Sequence, residues 1–572
     1  MRNGFISQFG IKILIFSIIF LCLGIGVTTF SASGANYYVR PAGSGGLNTG
    51  TSYANAWLGF GNINWTTLAS GANTLFVAGT HTGTMTIGQS GEDGQKIRIV
   101  SCEQQYGAST EDSGIITAGQ IYGNYKSYIY IRGLEMKYSV GINQPFNWDH
   151  AIYNYGGSRW DILDCDFHHN SGDGDVYLNG SGGYHNVQNN NFTSTGLGVG
   201  SSTGQGFGLG IDNNPNSTIK GNYFDEAGAG SGIGIATYLF YLGNSCNNSV
   251  VEGNYFKLSN GDNGSPMIYI RASVGFQVYN VKFKNNVVVR GDGGTDTPLL
   301  GYHGVNFKIY NNLFIGGAYI DDCVNTIIKN NIFINGNFYS QTSGDGGTLD
   351  YNLYYNCVRG DVSGITVGNH EIGGASLPGV NPQFVASGNI PSPYYRPQST
   401  SPARNSGIND DADIPNIDYD GVARPQQSVK DIGPFEYASG VTTKTTTPTT
   451  TTTTTTLIRI KPHKTTVKVS KKKTFKAKVK GKGDFREGFE WYVNDILGGN
   501  SIIGTIIPRK DGKWAIYKAP SIPPNPGTII IKIKSRGDSS GYGTAEIMIK
   551  NNDQKEKMRA QSGSIPYFFS RS

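Results

Sequence analysis

Charged residues are scarce in this chain: Asp, Glu, Lys and Arg make up 15% of its 572 residues. That scarcity argues against helical bundles, whose solvent-facing positions are mostly charged. The abundant residues are instead 81 Gly, 34 Tyr and 27 Phe, a mixture typical of β-sheet with tight turns and extracellular polar chemistry. The length also exceeds that of one ordinary domain.

Cysteine is rare as well. Beyond the N-terminal segment the chain has five, and neither their odd number nor their spacing fits a disulfide framework or a metal-binding pair: Cys102, Cys165, Cys246, Cys323 and Cys357. We therefore expect these cysteines to be buried in the fold, with at most one or two bridges among them.

A short phrase recurs between Cys165 and Tyr354: apolar or β-branched residues, then Asn, one further residue, and an aromatic or apolar residue. The Asn of each copy stands at 190, 222, 254, 286, 312, 331 and 352, so successive copies are 32, 32, 32, 26, 19 and 21 residues apart. Self-similarity at this period indicates stacked supersecondary units. Apolar and polar residues alternate within each copy, which predicts strands.

The sequence therefore predicts an all-β fold, a right-handed parallel β-helix solenoid whose equivalent strands stack ~4.8 Å apart. The repeated Asn side chains are expected to bond to the coils above and below. The repeated aromatic side chains are expected to stack inside: Phe192, Phe224, Phe256, Phe314 and Phe333. The longer copies should extrude a loop on one flank, where functional residues are usually found.

The segments around this repeat differ in character. Residues 1–35 combine Arg2 and Lys12 with an apolar run and small residues, which predicts a cleaved secretion signal; an uncleaved membrane anchor is the alternative. Residues 36–438 are assigned to the β-helix with a cap at each end. Residues 439–456 are nearly all Thr and predict a linker, and residues 551–572 predict a flexible tail.

Several phrases resemble a known group of secreted proteins. The opening of the predicted helix, NYYVRPAGSGGLNTGTSYANAW, is similar to that of secreted right-handed parallel β-helix proteins of the pectate-lyase-like group. The closing phrases NPQF, DYDGVARP and DIGPFEY resemble the end of many bacterial β-helix surface proteins. The resemblance covers roughly residues 36–438 and implies the fold rather than a reaction.

Residues 457–550 have short alternating runs between Gly and Pro turns, which predicts a second domain, a small β-sandwich. The order of its features, with Trp491 in a central strand and Tyr517 before Ala519-Pro520, resembles bacterial immunoglobulin-like modules. It has 20 Lys and Arg against 7 Asp and Glu, so the β-helix must be net acidic. This surface is predicted either to dock on an acidic polymer, with no specific nucleic acid expected, or to be a solvated edge protected by Lys.

Alignment of the strands that precede each turn gives an outward column of polar residues: Tyr155, Asn179, Asp212, Ala236, Arg271, His303 and Asp321. A second outward column carries tyrosines: Tyr153, Tyr177, Tyr269 and Tyr319. Such columns suit a polysaccharide or cell-wall glycan, because ring faces stack on sugars and cations pair with uronate carboxylates. The alternative is a set of ordinary solvated residues, in which Arg271 and Asp321 pair near His303.

The reaction that these columns fit best is β-elimination on a uronic acid. Arg271 is predicted to neutralise the carboxylate and His303 to take the C5 proton, while Asp212 or Asp321 orients the histidine or helps to hold Ca²⁺. Signatures of related enzymes are missing: no Lys base falls in the column, and neither the full pectate lyase motifs nor the three-Asp cluster of polygalacturonases is present.

Two groups of acids are candidates for metal binding. Asp173 and Asp175, in the phrase SGDGD, predict either a turn or a Ca²⁺ loop. A denser group predicts either a structural Ca²⁺ site or a solvated loop: Asp410, Asp411, Asp413, Asp418 and Asp420.

Together these observations predict a secreted or cell-surface protein that binds polysaccharide, with cleavage by elimination as its enzymatic form. A non-catalytic adhesin or structural protein is the second hypothesis, and the missing signatures favour it. A sugar epimerase is the third, because it shares the proton-abstraction step.

Overall fold

The structure is a computed structural model that describes residues 34–102, 113–137, 150–168, 174–180, 182–193, 205–226, 236–258, 267–273, 275–290, 298–341, 346–360, 362–374, 376–385, 395–437, 457–480, 489–493, 496–500, 503–509, 513–520, 528–535 and 542–550. The predicted signal segment up to residue 33, the Thr-rich linker and the tail lie outside these ranges. Within them, no helix is long and apolar enough to cross a membrane.

The first part of the chain is a parallel β-helix, as predicted. Each coil contributes one strand to each of three faces in turn; Asp161–Leu163, Asp166–His168 and Gly174–Asn179 make one such coil. Face A has fourteen parallel strands: Trp57–Leu58, Asn36–Arg40, Thr74–Val77, Ile97–Ser101, Ile129–Arg132, Asp161–Leu163, Asn186–Gln188, Thr218–Lys220, Val250–Glu252, Lys282–Lys284, Lys308–Tyr310, Ile327–Lys329, Gly347–Asp350 and Ile365–Val367.

Faces B and C form one continuous sheet, because the last coils run from one to the other without a break. Face B comprises Gly79–His81, Gly114–Thr117, Glu135–Lys137, Asp166–His168, Asn191–Thr193, Tyr223–Glu226, Tyr255–Leu258, Val287–Arg290 and the first halves of Leu313–Asp321, Ile332–Gln341 and Leu353–Arg359. Face C comprises Met85–Thr86, Ile121–Tyr122, His150–Tyr155, Gly174–Asn179, Gln205–Asp212, Ala236–Leu242, Ile268–Arg271, Leu299–Tyr302 and the second halves of those three long strands. A two-stranded sheet, Val278–Tyr279 with Gly304–Val305, lies between faces C and A.

The predicted Asn ladder is confirmed. The backbone N–H of Asn254 donates to Oδ1 of Asn286 at 3.0 Å, and its Nδ2 donates to the same oxygen at 3.0 Å and to the Ile219 carbonyl at 3.0 Å. Every consecutive pair repeats this pattern: Asn190, Asn222, Asn254, Asn286, Asn312, Asn331 and Asn352. The ladder ends at Glu371, whose Oε1 accepts both donors of Asn352 at 2.9 Å.

The predicted aromatic stack is also confirmed, with one interruption. Ring centroids lie 4.6 Å apart for Phe192 and Phe224 and 4.7 Å apart for Phe224 and Phe256. The next position in register is Val288, and Phe283 of face A fills the space, 6.4 Å from Phe256 and 6.0 Å from Phe314. The stack then continues through Phe333. The coil interior is therefore filled by rings from two faces.

The N-terminal end of the β-helix has a cap. The 3-10 helix Phe60–Asn62 and the α-helix Trp65–Ala69 precede the second full strand of face A. Asn64 accepts the Thr67 N–H at 3.0 Å and so starts the helix, which buries Leu68 in the core of the coil. This apolar contact shields the first coil from water.

The segment 395–437 folds back over the outer sides of faces A and B. Its Tyr395, Ala403, Ile432 and Phe435 pack on the outer, apolar side of face B. Lysines on the outside of face A bind its acids: Lys282 to Asp413 at 2.6 Å, Lys308 to Asp411 at 2.9 Å, and Lys329 to Asp410 at 2.6 Å. Three of the five acids predicted as a Ca²⁺ site or solvated loop thus form ion pairs that hold this segment to the coils, whereas Asp418 and Asp420 make their contacts within the segment.

Left-handed Asn residues on the β-helix add a second attachment. Asn285, Asn311 and Asn330 have φ of 54–60° and each stands immediately before a ladder Asn. The Nδ2 of Asn285 donates to the Ile417 carbonyl at 2.6 Å, that of Asn311 to Asp431 at 3.0 Å, and that of Asn330 to Ile408 at 3.1 Å. In the earlier coils Asn189, Gly221 and Gly253 occupy this position.

The second domain is a β-sandwich with two five-stranded sheets around one core. The first sheet, in spatial order, is Leu457–Lys461, Lys472–Lys480, Trp514–Lys518, Gly504–Pro508 and Gly499–Asn500. The second is Lys464–Lys468, Tyr542–Lys550, Thr528–Ser535, Phe489–Val493 and Ile496–Leu497. Both sheets contribute to one buried cluster around Trp491 and Tyr517. All pairs are antiparallel except Lys464–Lys468 with Tyr542–Lys550.

The cysteines behave as predicted. All five that the structure describes are buried and free: Cys102, Cys165, Cys246, Cys323 and Cys357. Burial raises the pKa of the Cys165 thiol to about 12. A thiol with such a pKa stays protonated at neutral pH and serves as an apolar packing group.

Candidate functional site

Face C carries the two outward columns expected from the sequence. One, which we call the tyrosine column, aligns its members strand by strand: Tyr122, Tyr153, Tyr177, Gly210, Tyr241, Tyr269, Leu300, Tyr319 and Tyr339. The other, the polar column, lies two residues further along each strand: Tyr155, Asn179, Asp212, Gly243, Arg271, Tyr302, Asp321 and Gln341. The alignment brings all four predicted tyrosines of the first column together.

Two members of the predicted polar column were wrong. Arg271 pairs with Tyr302, which pairs with Asp321, so His303 lies one residue beyond the column. Ala236 is at the start of its strand, and Gly243 follows Leu242 into the column instead. The spacing to the following strand of face A carried the missing signal: Tyr155 and Asp212 stand six residues before that strand, and six residues before Lys308 is Tyr302.

His303 has partners at both ring nitrogens. Its Nδ1 lies 3.2 Å from the Ala272 carbonyl oxygen, and its Nε2 lies 2.9 Å from Oδ2 of Asp322. Both neighbours only accept hydrogen bonds, so the predicted role of His303 as a base requires one of these two contacts to open.

The first three rings of the tyrosine column stack on one another, whereas Tyr241 meets Tyr269 and Tyr319 meets Tyr339 edge to face. The Tyr122 and Tyr153 centroids are 6.0 Å apart with planes 10° from parallel, and those of Tyr153 and Tyr177 are 6.1 Å apart at 7°. Tyr177 is only 5% exposed. The column therefore presents ring edges and hydroxyl groups, and the expected stacking of ring faces on sugars fits Tyr155 better, which is 45% exposed beside Tyr125.

Asp212 lies where the tyrosine column is interrupted. A Cβ added to Gly243 would overlap Oδ1 of Asp212 and come 2.6 Å from the Tyr241 hydroxyl, so the glycine leaves room for both groups. Among the described residues, Oδ1 of Asp212 is buried without a hydrogen-bond partner. Burial raises the pKa of the Asp212 carboxyl, against hydrogen bonds from the Asn244 and Asn213 amides. Burial, and next the nearby Asp212 charge, raise the pKa of the Tyr177 and Tyr241 hydroxyls.

Arg271 stands two strands beyond Asp212 in the polar column. Its Cζ lies 5.4 Å from the centre of the Tyr269 ring. Its Nε is buried, and no described residue forms a hydrogen bond with it. The Arg271 side chain as a whole is half-buried, so its guanidinium charge lies near enough to the surface to attract a carboxylate ligand. Tyr302 and Asp321 follow it on the next two strands, half-buried.

The predicted metal site at the SGDGD phrase finds no ligand set. Asp173 lies outside the described residues. Asp175 belongs to the strand Gly174–Asn179 and is fully buried, so this part of the phrase is not the turn that the sequence predicted. Across the described ranges, no three His, Cys, Asp or Glu side chains are grouped as a metal site requires.

No family model matches the chain, and neither a curated protein nor a solved structure matches it. The polar and tyrosine columns therefore stand on their geometry alone.

Proposed function

We propose that this protein is a secreted or cell-surface β-helix that binds a polysaccharide along face C. The observation that carries this proposal is the pair of adjacent columns, one of aromatic hydroxyl groups and one of hydrogen-bonding side chains, repeated over successive coils at ~4.8 Å per strand. A linear glycan presents hydroxyl groups at regular intervals, so a repeating surface matches it along its length.

The environment of face C supports this choice of surface. Segment 395–437 packs on faces A and B, where its apolar and acidic side chains contact Leu313 and Lys308. Face C keeps Asn179, Arg271 and Asp321 in its polar column. The N-terminal signal, the likeness of residues 36–438 to the pectate-lyase-like group and the immunoglobulin-like order of features in the second domain belong to the same proposal of an extracellular glycan-binding protein.

Binding is tested by titrating the mature protein with pectate, alginate, chondroitin and heparin, with and without Ca²⁺, in a calorimeter. We expect Arg271→Ala to weaken binding of an acidic glycan at least tenfold, since a charge-assisted hydrogen bond is worth about 1.5–3 kcal/mol. Arg98→Ala is the matched control, because Arg98 lies over Tyr130 at 4.2 Å on face A in the same cation–ring arrangement. Equal effects of the two variants would exclude face C as the binding surface.

Cleavage by β-elimination is the second candidate, favoured by Asp212 and Arg271. Arg271 supplies a half-buried cation for a uronate carboxylate, and Asp212 has a raised pKa, as acid–base groups often have. In this scheme the base removes the C5 proton, the C4–O bond breaks, and a proton passes to the leaving oxygen. A Ca²⁺ ion held by Asp212 or Asp321 is also part of this scheme.

Absorbance of unsaturated products distinguishes an enzyme from a non-catalytic adhesin. An active lyase produces this absorbance on one of the four glycans, and Arg271→Ala and Asp212→Asn each abolish it. Binding without product, unchanged by Ca²⁺, would identify the adhesin, while an altered sugar configuration without cleavage would identify an epimerase.

A further inference from the structure

One sheet of the second domain has a strongly positive outer side. Its five strands, which begin at Leu457, Lys472, Trp514, Gly504 and Gly499, contain no Asp or Glu. The side chains that alternate outward on its first three strands form what we call the basic face: Arg459, Lys461, Lys472, Lys476, Lys478 and Lys518.

Cations face cations directly across the strands of the basic face. Arg459 is opposite Lys478 and Lys461 is opposite Lys476 in the antiparallel register, and Lys472 is opposite Lys518. Like charges in such positions destabilise a sheet. An external polyanion would remove this repulsion.

Protection of a sheet edge does not account for these lysines. Lys on an edge strand prevents edge-to-edge association, but here only Leu457–Lys461 is an edge strand of the three. Lys472, Lys476 and Lys478 lie on the second strand and Lys518 on the third, which are both paired on two sides. The charge extends across the sheet instead of following its border.

The opposite sheet of the same domain has an acid bound among its cations. There Lys464 binds Glu546 at 2.8 Å, although Lys468 and Lys550 also face each other across two strands. Both sheets carry lysines, but acids stand among them on this side alone. The basic face thus supplies six of the domain's positive charges, and no acid stands among them on its strands.

Trp514 indicates the kind of polyanion. It is 37% exposed in a row across three strands with Lys461 and Lys476, and the Nζ of Lys476 lies 4.1 Å from its ring centre. A flat aromatic ring beside cations matches a sugar ring that bears a carboxylate, since the ring stacks and the cations pair with the charge. Of the outward neighbours, Thr474 is polar and Ile516 is half-buried, so the two form no exposed aliphatic cluster of the kind that inserts into a lipid bilayer.

We propose that the basic face binds a linear acidic polysaccharide and so fixes the protein to a polyanionic surface. This inference is independent of the face C proposal, because it concerns other residues on another domain. The full chain then has two glycan sites, one on each domain.

The test measures binding of the full-length protein to immobilised polygalacturonate, with Arg271→Ala present throughout so that face C contributes little. We expect Lys461→Ala, Lys476→Ala to weaken binding about tenfold or more at low salt, and to reduce the dependence of affinity on salt, because two ionic contacts are lost. Trp514→Ala is expected to weaken binding at high salt as well, where charge pairing is screened. Neutral dextran should not bind.

The control variant is Lys468→Ala, Lys550→Ala, an exposed pair that also faces across two strands but on the opposite sheet. It changes the net charge by the same amount, so an equal loss of affinity would overturn the proposal in favour of diffuse attraction. Tighter binding to phosphatidylglycerol vesicles or to duplex DNA than to polygalacturonate would also overturn it. Thermal unfolding of each variant checks that the domain still folds.

Discussion

Removal of one Asn from the buried ladder should destabilise the β-helix by far more than a surface mutation. Oδ1 of Asn254 accepts the backbone N–H of Asn222 at 2.9 Å and its Nδ2 at 3.0 Å. The Nδ2 of Asn254 donates to Ile219 and Asn286, both at 3.0 Å. Asn254→Ala therefore deletes four hydrogen bonds within one fully buried corner.

The cost follows from which groups lose their partners. The Asn222 backbone N–H is left buried without an acceptor, at a cost of about 1–3 kcal/mol. The other three bonds contribute about 0.5–1.5 kcal/mol each. Two of their partners keep one bond, since Asn222 Nδ2 still donates to Val187 and Asn286 Oδ1 still accepts from the backbone of residue 254. We expect an overall loss of about 3–6 kcal/mol in the free energy of unfolding.

Guanidinium denaturation and hydrogen exchange measure this loss, the latter at the amide of Asn222. The control is Asn248→Gly, because Asn248 belongs to an exposed ladder with Asn216 and Asn280 and has φ of 57°, which glycine adopts without strain. It should change stability by about 0.5 kcal/mol or less. A loss below about 1 kcal/mol for Asn254→Ala, with unchanged exchange at Asn222, would refute the ladder as a source of stability.

Three further predictions test other parts of the molecule. Gly301→Ala should stabilise the β-helix by about 0.5–1 kcal/mol in thermal unfolding, because its Cβ would enter an apolar void at 3.2 Å from Ile320, whereas Gly336→Ala should destabilise it by overlapping the Gly316 backbone. Burial raises the pKa of Asp411, but bonds from the Asp413 backbone, Tyr310 and Lys308 outweigh it and bring this pKa to about 2. The stability from this group is therefore present above pH ~4 and lost as the pH falls toward 2, so hydrogen exchange in residues 408–437 should rise there and Asp411→Asn should flatten the change. Burial raises the pKa of Asp212, so its ionisation costs stability as the pH rises above ~4; Asp212→Asn should raise the melting temperature at pH 7 while it weakens glycan binding.

The core of the fold was predictable because each coil repeats the same local chemistry. Each ladder position needs an amide side chain that both donates and accepts along the stack. Asn254 and its equivalents therefore recur at a regular spacing that is visible in the sequence. The same holds for Phe224 and Phe256, whose rings stack on each other across adjacent coils. Only Val288 breaks the aromatic pattern. Phe283 fills the space that a ring would occupy there, but it belongs to face A, so comparing the equivalent positions of face B does not reveal it.

The register of face C was harder to predict because the connections between faces B and C differ in length. Alignment of the strands that precede each turn therefore placed His303 where Tyr302 lies, while the six-residue spacing to the next strand of face A, as at Tyr155 and Asp212, gives Tyr302. Tyr241 was missed for the same reason. Contacts with segment 395–437 were beyond sequence reasoning, since Lys308 and Asp411 lie 103 residues apart.

The two kinds of residue before the ladder Asn set limits on how this protein can lengthen. Coils with Gly221 or Gly253 before the ladder Asn make contacts at this position with adjacent coils only. An additional 32-residue unit inserted beside them would therefore reproduce every contact that it interrupts. Coils with Asn285, Asn311 and Asn330 instead donate hydrogen bonds to three carbonyl groups of segment 395–437. Duplication of a unit among these coils would displace the three donors by one coil and detach the segment. Natural variation in coil number should therefore be confined to the N-terminal half.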